Sequence, residues 1–120
     1  MSIVFLDDNE TRIDIVKCHL PDVIITNMSN QCIEVLKKID VCHILMLDYD
    51  LDEGEIKDKK ITGCGMDVAQ WVCENKKEIG TIIVHSRNFF GSNDMTNILR
   101  KYKYNVLQIP FFNIQWNNFF

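Results

Sequence analysis

Carboxylates fall in two tight groups, Asp7 and Asp8 in IVFLDDN and Asp48 and Asp50 in LMLDYDL. Each group directly follows a short apolar, β-branched run, so a sheet built from such runs presents these acids at its strand ends. If the first and third runs are neighbours, Asp7, Asp8 and Asp48 converge. Three carboxylates within a few ångströms cannot all ionise cheaply, because like charges raise one another's pKa. A hard divalent cation resolves that conflict, and Mg²⁺ suits a site of a few carboxylates, waters and a phosphate oxygen. The plainer role for Asp7 and Asp8 is to cap the following helix, where an anion complements the dipole.

A second polar group follows the fourth apolar run, in HSRNFFGSNDM. Here His85 suits a general acid or base, Ser86 and Asn88 can donate to phosphate oxygens, and Arg87 can clamp an anion bidentately. Gly91 lets backbone amides approach an anion, and a helix start at Ser92–Asp94 offers a positive dipole end. A histidine at a strand end serves equally well as a hydrogen-bonded structural residue.

The elements that must position these groups alternate along the chain. Strands are expected at Ser2–Leu6, Asp22–Thr26, His43–Leu47, Thr81–His85 and Asn105–Ile109. Their near-continuous apolar runs fit strands covered on both faces, as in a parallel sheet. Between them, Ile13, Val16 and Leu20 form a helical stripe, as do Cys32, Val35, Leu36 and Ile39, then Val68, Trp71 and Val72, then Met95, Ile98, Leu99 and Tyr102. Ser29 or Asn30 is the expected cap of the second helix, and Ser92 or Asn93 that of the fourth. The order βαβαβαβαβ implies right-handed crossovers with helices on both sheet faces. In such a sheet, ligands bind outside the carboxyl ends of the strands. The connection from Asp48 to about Cys64 is long and dense in charge, which points to a functional or mobile loop. The ending PFFNIQWNNFF, residues 110–120, is aromatic and has no helical stripe.

Composition sets the frame. A chain of 120 residues with 47% hydrophobic and 25% charged side chains reads as one globular domain, 1–120, and argues against disorder, collagen or a disulfide scaffold. Thirteen basic against seventeen acidic residues leave a net charge of −4, which disfavours wrapping nucleic acid by bulk charge. It does not disfavour handling one phosphate at one site. Five cysteines show no zinc-type spacing and read as free thiols. The start MSIVFLDD lacks a basic leader region, and no apolar run approaches the roughly 20 residues of a membrane span. The expectation is a cytoplasmic protein without membrane contact, in the host cytoplasm if the source is viral.

IVFLDDN at 3–9, LMLDYDL at 45–51, GMDVAQW at 65–71, IIVHSRNFFGSNDM at 82–95 and YNVLQIPF at 104–111 together resemble the cyclic-phosphate processing receiver domains of phages and bacteria. The segment carrying His85, Ser86, Asn88, Gly91, Asn93 and Met95 is the most specific part, with one residue fewer between Gly91 and Asn93 than the family pattern. Arg12 and Asp67 also match. The resemblance implies a flavodoxin/receiver-like three-layer α/β sandwich with a five-stranded parallel sheet in the order 2-1-3-4-5. It also implies a role on cyclic phosphate ends of RNA or nucleotides. Asp7, Asp8 and Asp48 fall where receivers keep metal-binding acids and the phosphoacceptor. The lysine that receivers carry before the proline after strand five is replaced by Ile109, and the fifth helix is missing. Phe111, Phe112, Trp116, Phe119 and Phe120 are expected to cover strand five, or to contact a partner or a second copy.

Three functions follow as expectations. The first is an Mg²⁺-dependent phosphoesterase in RNA repair, opening a 2′,3′-cyclic phosphate. In it Asp7, Asp8 and Asp48 hold the metal, and Asp48, His85 and Ser86 carry the chemistry. Ser86, Arg87, Asn88 and Asn93 would bind phosphate, with Arg12, Asp50 and the charged loop to Lys60 in support. The second is a degenerate receiver that accepts phosphate on Asp48 or binds a protein partner. The third is a binder of phosphate or RNA ends without turnover.

Overall fold

The computed structural model describes residues 1–51, 55–57, 60–62 and 64–119. Five parallel strands form the central sheet: β1 Ile3–Leu6, β2 Ile24–Thr26, β3 Cys42–Leu47, β6 Ile79–Val84 and β7 Val106–Gln108. Their spatial order is β2-β1-β3-β6-β7, so the chain reverses direction across the sheet between β1 and β3. This is the expected 2-1-3-4-5 order of a receiver-like α/β fold. The helices are α1 Glu10–His19, α2 Ser29–Lys38, α3 Gly65–Glu74 and α4 Phe89–Lys101. Where one long loop was expected after β3, the backbone forms an antiparallel hairpin, β4 Glu55–Lys57 with β5 Lys60–Thr62. The side chains of that charged segment lie outside the described residues.

Alternation along the strands splits the core in two. Val4 and Leu6 of β1, Leu45 and Leu47 of β3, and Ile82 and Val84 of β6 join Leu36, Val68, Val72, Met95 and Leu99 from α2, α3 and α4. The intervening residues Ile3, Phe5, Met46 and Ile83 face the other way, against Val16 of α1 and Leu20 at its C-cap. A receiver's fifth helix would cover the rest of that second face. Here Phe111, in a 3₁₀ turn over Phe111–Asn113, and Ile114 are buried there, with Trp116 packed beside them. The His19 ring stacks on Trp116 at 5.1 Å and 5° between planes, tying the tail to α1. Phe112 points outward, 62% exposed, and the side chains of Phe119 and Phe120 lie outside the described residues.

Two helix starts differ from expectation. α2 begins at Ser29 with Met28 as its cap and no side-chain bond to the first turn. α4 begins four residues before Asn93, because Asn88 accepts from the Gly91 amide at 2.8 Å and caps an earlier turn. Ser92, freed from capping, donates instead to the Ser86 carbonyl at 3.1 Å.

Candidate metal and phosphate site

The ladder bonds run one residue past the central strands, and this fixes the site. Asp7 N donates to Thr26 O at 3.1 Å, Asp48 N to Leu6 O at 3.0 Å, and His85 N to Leu47 O at 3.0 Å. Leu6 pairs with Leu47 in register, so Asp7 and Asp48 leave adjacent strand ends side by side. The first-helix capping role falls to Asn9, whose side chain accepts from Arg12 N at 3.0 Å. Asp7 therefore stays in the cluster, where Asn9 N donates to its Oδ1 at 2.9 Å. Asp7, Asp8 and Asp48 each offer an oxygen, all within 4.8 Å of one another.

The electrostatics show how unfavourable such a cluster is without a cation. Burial and the neighbouring Asp7 push the Asp48 carboxyl up to about 7, against the pull of the Ser86 hydroxyl, Arg12 and the Tyr49 amide. Arg12 acts as the internal cation. Its Nε donates to Asp7 Oδ2 at 2.6 Å, and its terminal nitrogen donates to Asp7 Oδ1 at 2.9 Å and reaches Asp48 Oδ2 at 3.4 Å. The hydrogen bond to Asp7 is the chief cause raising the Arg12 pKa. Arg12 thus neutralises part of the cluster, and the oxygens of Asp7, Asp8 and Asp48 lie close enough together that they could bind a divalent cation.

Two backbone approaches hold Asp48 in place. Gly65, at the start of α3, lies so close that a Cβ there would sit 1.8 Å from the Asp48 carbonyl oxygen. Its amide donates to Tyr49 O at 2.8 Å. The Tyr49 amide in turn donates to Asp48 Oδ1 at 2.9 Å. The GMD segment signalled this glycine, but spacing alone did not tell that its task was close contact with a metal-side acid.

The residues expected to bind phosphate separate into distinct places. Ser86 meets Asp48 through its hydroxyl. Asn88 is committed to the helix cap and donates from Nδ2 to Asp50 Oδ1 at 3.3 Å, so Asp50 links the β3 and β6 loops. Arg87 turns away from the acids, its guanidinium 5.6 Å from the centre of the Phe112 ring. Asn93 Oδ1 accepts from Gln108 Nε2 at 3.0 Å, and Gln108 is a site-side residue that sequence reasoning missed. Asp67 stands in the first turn of α3, half-buried. The position of the receiver lysine holds Ile109, which packs on the second core face.

His85 requires a correction. Two residues beyond Ile83, it shares that residue's sheet face, where Phe5 and Phe111 pack on its ring. It is 2% exposed, stacks on Phe5 at 5.0 Å and meets the edge of Phe111 at 5.8 Å. Among the described residues neither ring nitrogen has a hydrogen-bond partner, and Nδ1 lies 3.8 Å from Asp7 Oδ2. Burial pushes the imidazole down to about 4, so it is neutral at pH 7. The imidazole thus faces Asp7 and the aromatic core, and is nearly closed off from solvent.

A doubly wound sheet with an acidic cluster at its switch point, an acid at the end of β3 and a hydroxyl after β6 defines a receiver-like α/β domain. The profile of the cyclic-phosphate processing receiver domain family matches residues 2–101, and the chain belongs to that family. A search of curated proteins finds no match. Among the described residues no helix is long and apolar enough to cross a membrane.

Proposed function

We propose that this domain opens 2′,3′-cyclic phosphate ends of RNA or nucleotides with a divalent ion, Mg²⁺, held by Asp7, Asp8 and Asp48. The observation that carries the reading is the convergence of these acids, with Ser86 on Asp48, in a chain whose family is named for cyclic-phosphate processing. A bound divalent ion would neutralise phosphate charge and favour an ionised Asp48. The other contributions belong to the chain. Ser86 turns its single hydroxyl proton from Asp48 toward a phosphate oxygen when substrate is bound, and the positive end of α4 faces the same side. Asp48 orients the attacking water and accepts its proton as the new P–O bond forms. The ring P–O bond breaks, and the departing ribose oxygen takes a proton from solvent. His85 keeps the buried side of Asp7 dry, a positioning role instead of the acid role expected from the sequence.

Incubation with 2′,3′-cyclic nucleotides and Mg²⁺ tests this. The expected result is conversion to a nucleoside monophosphate, abolished by EDTA and lowered at least about 100-fold by Asp48→Asn. Absence of opening, or equal opening by the variant, rules the reading out.

The placement of Asp48 at the end of β3, bonded by Ser86, also favours a second reading, a phosphoacceptor module. Ile109 in place of a lysine removes the cation that would hold the phosphoryl group. A mass gain from a small phosphodonor, absent in Asp48→Asn, would establish it. Affinity for a cyclic-phosphate end without turnover would instead establish a binder.

A further inference from the structure

We propose that the cleft between the ends of β6 and β7 and the first turns of α4 seats the nucleobase attached to the phosphate being processed. The inference rests on the cyclic-phosphate reading above and names the part of the substrate that the acids cannot recognise.

The cleft encloses about 570 Å³, and its walls include Ser86, Arg87, Phe89, Asn93, Gln108 and Pro110. That volume is in the range of small-ligand sites. Ser86 belongs to both places: its hydroxyl bonds Asp48, and the residue is part of the cleft wall. A ligand with its phosphate at Ser86 has this cleft beside it for its remaining atoms.

The chemistry of the walls suits a planar heterocycle. Phe89 is 67% exposed and Phe90 80% exposed, set edge to face with ring centres 5.7 Å apart. Neither ring is used by the core, both stand in the first turn of α4, and Phe89 lines the cleft. An exposed aromatic face is a stacking platform for any base. On the open side of the cleft, Gln108 Nε2 donates to Asn93 Oδ1 at 3.0 Å, which orients the two amides toward one another. That bond leaves Asn93 Nδ2 as a donor and Gln108 Oε1 as an acceptor, the pair of functions that reads a base edge. At the rim, the Arg87–Phe112 contact keeps a cation near the opening of an otherwise acidic protein. A peptide side chain would use the apolar wall but not the rigid donor and acceptor beside a phosphate seat.

Isothermal titration calorimetry with Mg²⁺ compares three probes: adenosine 3′-monophosphate, ribose 5-phosphate and inorganic phosphate. The nucleotide is expected to bind at least about tenfold more tightly than either probe without a base. Phe89→Ala should remove most of that advantage and leave inorganic phosphate unaffected, whereas Phe89→Tyr should retain it. Asn93→Ala and Gln108→Ala should alter the preference among adenosine, guanosine, cytidine and uridine monophosphates. Equal affinity for the three probes, or no change in Phe89→Ala with its circular dichroism intact, overturns the inference. The two proposals separate cleanly. Base-dependent binding without opening of cyclic nucleotides keeps the cleft and removes the enzyme, and opening without base-dependent binding does the reverse.

Discussion

Arg12 holds the place that a metal would contest. Its guanidinium contacts both Asp7 and Asp48, and its side chain is 18% exposed while Asp7 is fully buried. A divalent ion entering the carboxylate cluster meets this charge directly, so ion and guanidinium compete for the same oxygens. Replacing Arg12 with Gln is expected to tighten Mn²⁺ or Mg²⁺ binding about tenfold, because a repelling charge is gone. The same change strips a buried carboxylate of its partner and should cost about 3 kcal/mol of stability in EDTA. Saturating Mg²⁺ should restore most of that loss, since the ion binds the folded state alone. Calorimetric metal titration and urea unfolding with and without Mg²⁺ check both effects. Metal binding that weakens in Arg12→Gln would mean that Arg12 supports the seat rather than guarding it.

The tail after β7 covers one face of the sheet with short 3₁₀ turns and a few large side chains. Phe111 touches Phe5 at 6.1 Å between ring centres, His85 at 5.8 Å and Trp116 at 5.7 Å, each tilted or edge-on. Phe111→Ala should therefore cost about 3–5 kcal/mol, the range for emptying an aromatic core position. Phe112→Ala, next in sequence but exposed, should change stability by about 0.5 kcal/mol or less. Urea midpoints of the two variants measure the contrast, and equal losses would mean that the tail is not fixed on the sheet. These elements also explain what could be read in advance. The five apolar runs and their strand-end acids were plain, because a parallel strand covered on both faces writes itself as continuous Val, Ile and Leu. His85 was misread because such a run hides which face each residue takes. Counting by two puts Asp7, Asp48 and His85 on the same sheet face, and only the packing of Phe5 and Phe111 on the His85 ring separates it from the two acids. The β4–β5 hairpin was invisible for another reason: each strand has three residues with a single isoleucine, Ile56 opposite Ile61, too little pattern to separate from a charged loop. The start of α4 was misplaced because Asn88 and Asn93 are equally good caps in isolation, and only the fold decides which amide each one meets.

Across the molecule, the two buried groups at the site pull stability in opposite directions with pH. His85 takes its proton near 6.5 when unfolded and holds out to about 4 when folded. The unfolded chain thus binds more protons between these values, and this group's share of stability is lost as pH falls through that window. Asp48 behaves inversely: its carboxyl keeps a proton up to about 7 when folded but only to 3.8 when unfolded. Its share is present at low pH and lost as pH rises from about 4 to 7. Each unit of pH is worth about 1.4 kcal/mol for a fully offset proton, so in metal-free protein the two slopes nearly cancel between pH 4.5 and 6.5. Substituting one group should uncover the other. In Asp48→Asn, lowering the pH from 6.5 to 4.5 should cost about 2 kcal/mol more than in the unsubstituted protein. In His85→Phe, which preserves the stack on Phe5 and removes two unpaired nitrogens, the same change should instead gain about 2 kcal/mol relative to it. Mg²⁺ favours ionised Asp48, so its binding should weaken as pH falls below 7 and its presence should erase the Asp48 slope while leaving that of His85. Urea unfolding in EDTA at pH 4.5, 5.5 and 6.5 reads these slopes, and parallel curves for the three proteins would contradict the opposition of the two groups.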